Sequence, residues 1–119
     1  MKYPEIYAVD FDKTLNLAEN YPELGRPNMR LINFLRSRRA AGDKVILWTC
    51  REGELLKEAV RYCERYGLEF DAVNDNLKEN IEYFRNNCRK VWAHYYIDDR
   101  NFDIRNHALA SVNTEAEAI

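Results

Sequence analysis

The sequence predicts an α/β fold in which a parallel sheet carries helices on both faces. Two observations point there: short, partly β-branched apolar runs that break off abruptly in polar residues, and helical apolar stripes that fill the intervals between them. A third sets the scale. A chain of 119 residues, 46% hydrophobic and 32% charged, is long enough for one packed core and too short for two, so residues 1–119 are expected to form a single domain.

The first run, Ile6-Tyr7-Ala8-Val9, ends in charge at Asp10 and reads as a buried parallel strand. Residues 15 to 27, with Asn16, Asn20, Pro22, Gly25 and Pro27, are too rich in turn formers for a long regular element. A helix is expected from about Asn28 to Ala41, with Leu31, Ile32 and Leu35 on one stripe, Pro27 near its start and Gly42 as its C-cap. Arg36, Arg38 and Arg39 fall toward its end, where cations complement the helix dipole or bind an anion.

Val45-Ile46-Leu47-Trp48 is the second strand run and stops at Thr49; Leu55, Leu56, Ala59, Val60 and Cys63 then mark a helix that ends by Gly67. Phe70 to Val73 fits a short third strand. Asn76-x-x-Glu79 resembles a capping box opening a helix with Leu77, Ile81 and Phe84 inward. The last strand is expected from Val91 to Ile97, running into Asp98-Asp99, and Asn113 to Ile119 are expected to fray. Gly25, Gly42, Gly53 and Gly67 form no dinucleotide-binding fingerprint.

A net charge of −2 provides no general attraction to polyphosphate backbones or acidic membranes, which argues against nucleic acid as a partner. The N-terminus lacks an apolar signal core, and the longest apolar runs are far too short to span a bilayer. A soluble cytoplasmic protein without a membrane partner is expected. Cys50, Cys63 and Cys88 are odd in number and widely spaced, which suggests neither disulfides nor a zinc site. Cys50 follows a strand end where sites form, but packing is its expected role.

Open parallel sheets bind ligands beyond the carboxyl ends of their strands, so the residues that terminate the apolar runs are the candidates for chemistry. These are Asp10, Thr49 and Asp98-Asp99. Asp10 and Asp12 lie two apart, a spacing that suits a nucleophile and a proton carrier serving one centre. Bringing Asp10 together with Asp98 or Asp99 raises at least one pKa unless a cation neutralises the group. Magnesium, a hard ion with a preference for oxygen ligands, resolves that conflict. Each acidic pair alone also reads as a polar turn; their joint occurrence with an intervening threonine is the informative observation.

These residues resemble the four signatures of the haloacid dehalogenase (HAD) superfamily. Val9-Asp10-Phe11-Asp12-Lys13-Thr14-Leu15 is similar to the first, with Lys13 where a glycine is usual; Ile46-Leu47-Trp48-Thr49 to the second; Lys90 to the third, with Arg89 and Lys78 as competitors; and Ile97-Asp98-Asp99-Arg100 to the fourth. The resemblance covers Ile6 to about Asp103. It implies a Rossmann-like, three-layer catalytic domain without a cap, and a phosphatase that is magnesium-dependent.

The implied reaction has Asp10 attack phosphorus and Asp12 move the protons. Thr49, Lys90, Arg51 and main-chain N–H groups near Phe11 and Cys50 would hold the phosphoryl oxygens. Metal ligation is assigned to Asp10, Asp12, Asp98 and Asp99, with Asp99 favoured as the direct contact of the last pair and Asp98 as a supporting or water-mediated one; Asp103 reads as a surface carboxylate in preference to a further ligand. Arg51 has a second reading, a surface salt bridge with Glu52 or Glu54. Tyr21 either stacks on a base or sugar or packs locally, and His94 falls within the last strand with no metal-site spacing, as does His107 near the tail.

Without a cap, such a protein is expected to take an accessible phosphate on a large molecule, or to use a neighbouring subunit as a lid over a small phosphate ester. A nucleotide is the sharpest substrate expectation. The main alternative is a non-enzymatic, receiver-like phospho-acceptor domain, although its acids fall in a different order along the chain.

Overall fold

The computed structural model describes residues 3–102. Strands β1 (Ile6–Val9), β2 (Lys44–Leu47), β3 (Ala72–Val73) and β4 (Tyr95–Ile97) alternate with helices α1 (Met29–Ala40), α2 (Gly53–Arg65) and α3 (Lys78–Phe84). The pairings among these four strands are all parallel, and their spatial order is β3-β2-β1-β4.

Alternation along the strands builds two cores. Tyr7, Val9, Val45 and Leu47 face one side, where they meet Ile32 and Leu35 of α1 and Ala59, Tyr62 and Cys63 of α2. Ile6, Ala8 and Ile46 face the other, against Leu77, Val91 and Ala93. Every residue of β1 is therefore buried, which is why its sequence reads as a continuous apolar run rather than an alternating one. Each fully buried Val, Leu or Ile here contributes roughly 1.5–3 kcal/mol of transfer free energy. Among the described residues the result is the three-layer α/β architecture, a four-stranded parallel sheet between helical layers with no cap.

The connections from β1 through α1 to β2, and through α2 to β3, move steadily outward on one face. The chain then returns through α3 to place β4 on the far side of β1. The direction of winding thus reverses between β1 and β4, and that is where an open α/β sheet forms its ligand crevice.

Register levels the strand ends: Val9 pairs with both Leu47 and Ile97. Asp10, Trp48 and Asp98 consequently emerge at one height.

Helix α1 starts where expected, because Asn28 caps it. The Asn28 Oδ1 accepts from the Leu31 N–H at 3.2 Å, and its Nδ2 donates to the Thr14 carbonyl at 3.0 Å. At the other end Arg38 pairs with Asp43 and Arg39 with Asp71, so these arginines serve the helix terminus and its neighbours rather than an external anion. Burial would raise the Asp71 carboxyl, but the Arg39 guanidinium and the Val45 N–H hold it below the usual range.

Three expected elements are corrected. The third strand is Ala72–Val73 rather than Phe70 to Val73. The last is Tyr95–Ile97; Val91 and Ala93 are buried all the same, because they pack on Ile6 and Ala8 before the chain joins the ladder. The capping box does not form. Asn76 is buried and its side chain accepts from the Trp92 N–H and donates to the Cys88 carbonyl, so Leu77 caps α3 without a side-chain bond. Of the three apolar residues expected inward on α3 and its cap, Leu77 is buried, Ile81 half-buried and Phe84 exposed.

Candidate active site

Asp10 leaves β1 with its main-chain N–H bonded to the Ile97 carbonyl at 2.9 Å. That bond joins it to the strand end carrying Asp98 and Asp99. Carboxylate oxygens from Asp10, Asp98 and Asp99 lie within 4.8 Å of one another. The Thr14 hydroxyl stands 3.5 Å from Asp10 Oδ2, at the long limit of a hydrogen bond.

Desolvation pushes the Asp10 carboxyl from 3.8 up to about 7; the Phe11 N–H opposes the rise, while Asp98 and Asp99 add to it. Among the described residues, no lysine or arginine forms an ion pair with any of the three acids. Three hard oxygen donors gathered in this way are a donor set that fits a hard divalent cation, magnesium among them.

Asp12 is placed differently from expectation. Its Oδ2 accepts from Arg51 Nε at 2.9 Å and its Oδ1 from Arg51 Nη2 at 2.8 Å. The carboxylate is thus engaged by a guanidinium and is not part of the acidic cluster, which corrects its assignment as a side-chain metal ligand.

Arg51 requires a correction too. Its side chain is fully enclosed, and it also donates to the carbonyls of Pro22 and Leu55. The guanidinium lies 4.8 Å from the Phe11 ring centroid and 5.2 Å from that of Tyr21. It holds protein groups rather than phosphate, and its partner is neither Glu52 nor Glu54.

Thr49 is half-buried at the rim, its hydroxyl accepting from the Arg51 N–H at 3.2 Å. Cys50 beside it is an exposed free thiol. The loop that carries them is clamped by Asn74, whose Oδ1 accepts from the Thr49 N–H at 2.8 Å and whose Nδ2 donates to the Arg51 carbonyl at 3.2 Å. Asn74 adopts φ +52°, a conformation asparagine tolerates better than most residues. The sequence reading missed it; an asparagine directly after a short apolar run was the available signal.

Lys90 is not brought to the acids. It is exposed, five residues before β4, with its ammonium 5.1 Å from the Tyr96 ring centroid. Its place ahead of the strand accounts for this: a residue that precedes a parallel strand is delivered toward the amino edge of the sheet, whereas the acids follow the strands at the carboxyl edge. Lys78, its competitor, opens α3 and is exposed, as is Arg89. His94 precedes β4, and its Nδ1 accepts from the Ile6 N–H, a structural role. Asp103, His107 and the segment from Asn113 lie outside the described residues.

The polar loop after Asp12 is organised from within by Asn16, another residue the sequence reading left as a turn former. Buried at 1% exposure, Asn16 donates to the Glu23 carbonyl and accepts from the N–H groups of Ala18 and Gly25. A Cβ on Gly25 would lie 2.9 Å from Ala18 Cα, so only glycine permits this closure. Tyr62 reaches from α2 to the Gly25 carbonyl. Tyr21 packs locally, over Arg51.

Fold and site together define a three-layer α/β protein with an acidic, cation-compatible centre at its topological switch point. No family model and no curated protein matches the chain. Among solved structures, the conserved protein coded by a locus of Bacteroides thetaiotaomicron is 33% identical and superposes with a TM-score of 0.72, over 98% of this chain and 93% of that one. The chain belongs to that protein's family. No helix among the described residues is long and apolar enough to cross a membrane.

Proposed function

We propose that this protein is a magnesium-dependent phosphatase of the haloacid dehalogenase type, acting on a phosphate monoester through an aspartyl-phosphate intermediate. The observation that carries the reading is the convergence of Asp10, Asp98 and Asp99 at the crevice between β1 and β4.

Asp10 attacks phosphorus in line, and the bond to the leaving oxygen breaks as the aspartyl phosphate forms. Asp12, two residues along and partly exposed, gives a proton to the leaving oxygen and later takes one from the water that hydrolyses the intermediate. The Thr49 hydroxyl and the N–H groups around Cys50 and Phe11 hold the transferring oxygens. Magnesium held by Asp10, Asp98 and Asp99 would neutralise the negative charge that acids and phosphoryl group bring together. The substrate class is a nucleotide or an accessible phosphate on a larger molecule, since among the described residues no cap encloses the crevice.

The receiver-like alternative is disfavoured by strand order. A flavodoxin-like sheet places β3 beside β1, whereas here β1 lies between β2 and β4.

The test is turnover of p-nitrophenyl phosphate with magnesium. Repeated hydrolysis, abolished by Asp10→Asn and by a chelator, supports the phosphatase. Single-turnover phosphorylation by a small phosphodonor would support the receiver, and undiminished hydrolysis by purified Asp10→Asn would remove the nucleophile.

A further inference from the structure

We infer that Arg51 is the positioning residue for Asp12, and that it joins this proton carrier to the loop formed by residues 17–26; the inference rests on the phosphatase reading. Three observations on Arg51 converge.

The first is the two-point contact. Nε and Nη2 reach separate oxygens of Asp12 at 2.9 and 2.8 Å, a geometry that fixes the plane of the carboxylate as well as its distance. A single ammonium cannot do this. Each carboxylate oxygen retains a further lone pair, so Asp12 can still exchange a proton on its open side.

The second is that Arg51 is itself immobilised. Nη2 also donates to the Pro22 carbonyl at 3.0 Å and Nη1 to the Leu55 carbonyl at 3.4 Å, while Phe11 and Tyr21 cover the guanidinium.

The third is the asymmetry of burial. The Arg51 side chain is 0% exposed and that of Asp12 25%. The cation is sealed behind the acid, and the acid alone opens toward solvent. Arg51 acts through Asp12 rather than on substrate.

Proton balance supplies the test. When the phosphoryl group moves to Asp10, an alkoxide leaving group must take a proton from Asp12, but p-nitrophenolate departs without one. A displaced Asp12 therefore penalises the first and spares the second.

The experiment measures kcat/KM for p-nitrophenyl phosphate and for a primary alkyl phosphate in wild type, Arg51→Lys, Arg51→Gln and Asp12→Asn. Arg51→Lys and Arg51→Gln are expected to lose at least about 100-fold on the alkyl ester and less than about tenfold on the aryl ester. In an Asp12→Asn background, Arg51→Lys should cost nothing further on the alkyl ester. Equal losses on both substrates, additive losses in the double variant, or unfolding of both arginine variants by circular dichroism would each assign Arg51 to structure alone and overturn the inference. Failure of the phosphatase reading looks different: wild type would then show no turnover that Asp10→Asn removes.

Discussion

The Asp10 N–H donates to the Ile97 carbonyl at 2.9 Å, so the first acid and the strand that delivers the last two are fastened together by main chain. Side-chain repulsion among Asp10, Asp98 and Asp99 cannot be relieved by letting the strands drift apart. The ladder holds three carboxylates close together, and the energetic cost of their repulsion falls on the fold.

That cost has a pH dependence. Desolvation places the Asp10 carboxyl at about 7, above its usual 3.8, so between these values the folded state binds a proton that the unfolded chain has released. Stability conferred by that proton is present at low pH and is lost as pH rises toward 7. In chelator, wild type is expected to lose on the order of 1 kcal/mol relative to Asp10→Asn between pH 5 and pH 7.5, allowing for solvent screening. Urea denaturation at the two pH values checks this; parallel behaviour of the two proteins would remove Asp10 as the titrating group.

Magnesium should reverse the same penalty. At pH 7.5 a concentration 100 times the dissociation constant is expected to add about 2.7 kcal/mol, read as a rise in the thermal midpoint. The rise should shrink at pH 5.5, where protons compete for Asp10, and should be lost in Asp99→Asn. Asp98 already accepts from the Arg100 N–H at 2.9 Å through one oxygen, so Asp98→Asn is expected to retain part of the response. A midpoint indifferent to magnesium in wild type would refute the cation site.

Asn74 holds the Thr49 loop with two side-chain bonds from a positive-φ position. Asn74→Gly keeps the backbone conformation and loses the clamp; Asn74→Ala loses both. Asn74→Gly is expected to cost roughly 1–3 kcal/mol and Asn74→Ala about 1 kcal/mol more, measured by chemical denaturation. Equal stability of the two variants would mean that the conformation at residue 74 is not strained.

What could be read in advance follows from which interactions have a linear signature. Buried parallel strands do, because both faces of Ile6–Val9 and Lys44–Leu47 are covered and the apolar runs stop where cover stops. That located Asp10 and Thr49 at one rim; Asp98-Asp99 joins them through the register of β4 with β1, although Tyr95 and Tyr96 of β4 are exposed. Pairings across long sequence separations leave no such trace. Arg51 meets Asp12 39 residues away, and Asn74 meets Thr49 25 away; neither follows from periodicity. Burial of Val91 and Ala93 mimics a strand in the sequence while the ladder begins only at Tyr95, and Lys90, which precedes that strand, falls away from the carboxyl edge where the acids stand. Asn76 was misread because a capping-box pattern says nothing of the competing Trp92 N–H that claims the side chain.

Lys13 gives a test of local strain at the site. Its φ is +62°, in the left-handed region where a Cβ costs roughly 1–2 kcal/mol. The turn is nevertheless closed, with the Lys13 N–H donating to the Asn16 carbonyl at 2.7 Å. Glycine would remove the strain but free the unfolded chain, an offset of about 0.4–1 kcal/mol. Lys13→Gly is therefore expected to stabilise by up to about 1 kcal/mol. Lys13→Val, whose branched Cβ crowds the same backbone, should destabilise by more than 1 kcal/mol, roughly the left-handed cost again. Because Lys13 is exposed, burial changes little in either variant, and equilibrium denaturation reads the backbone term directly. A valine variant as stable as wild type would show that the turn relaxes, and that Asp12 is held in place by Arg51 without help from the turn that follows it.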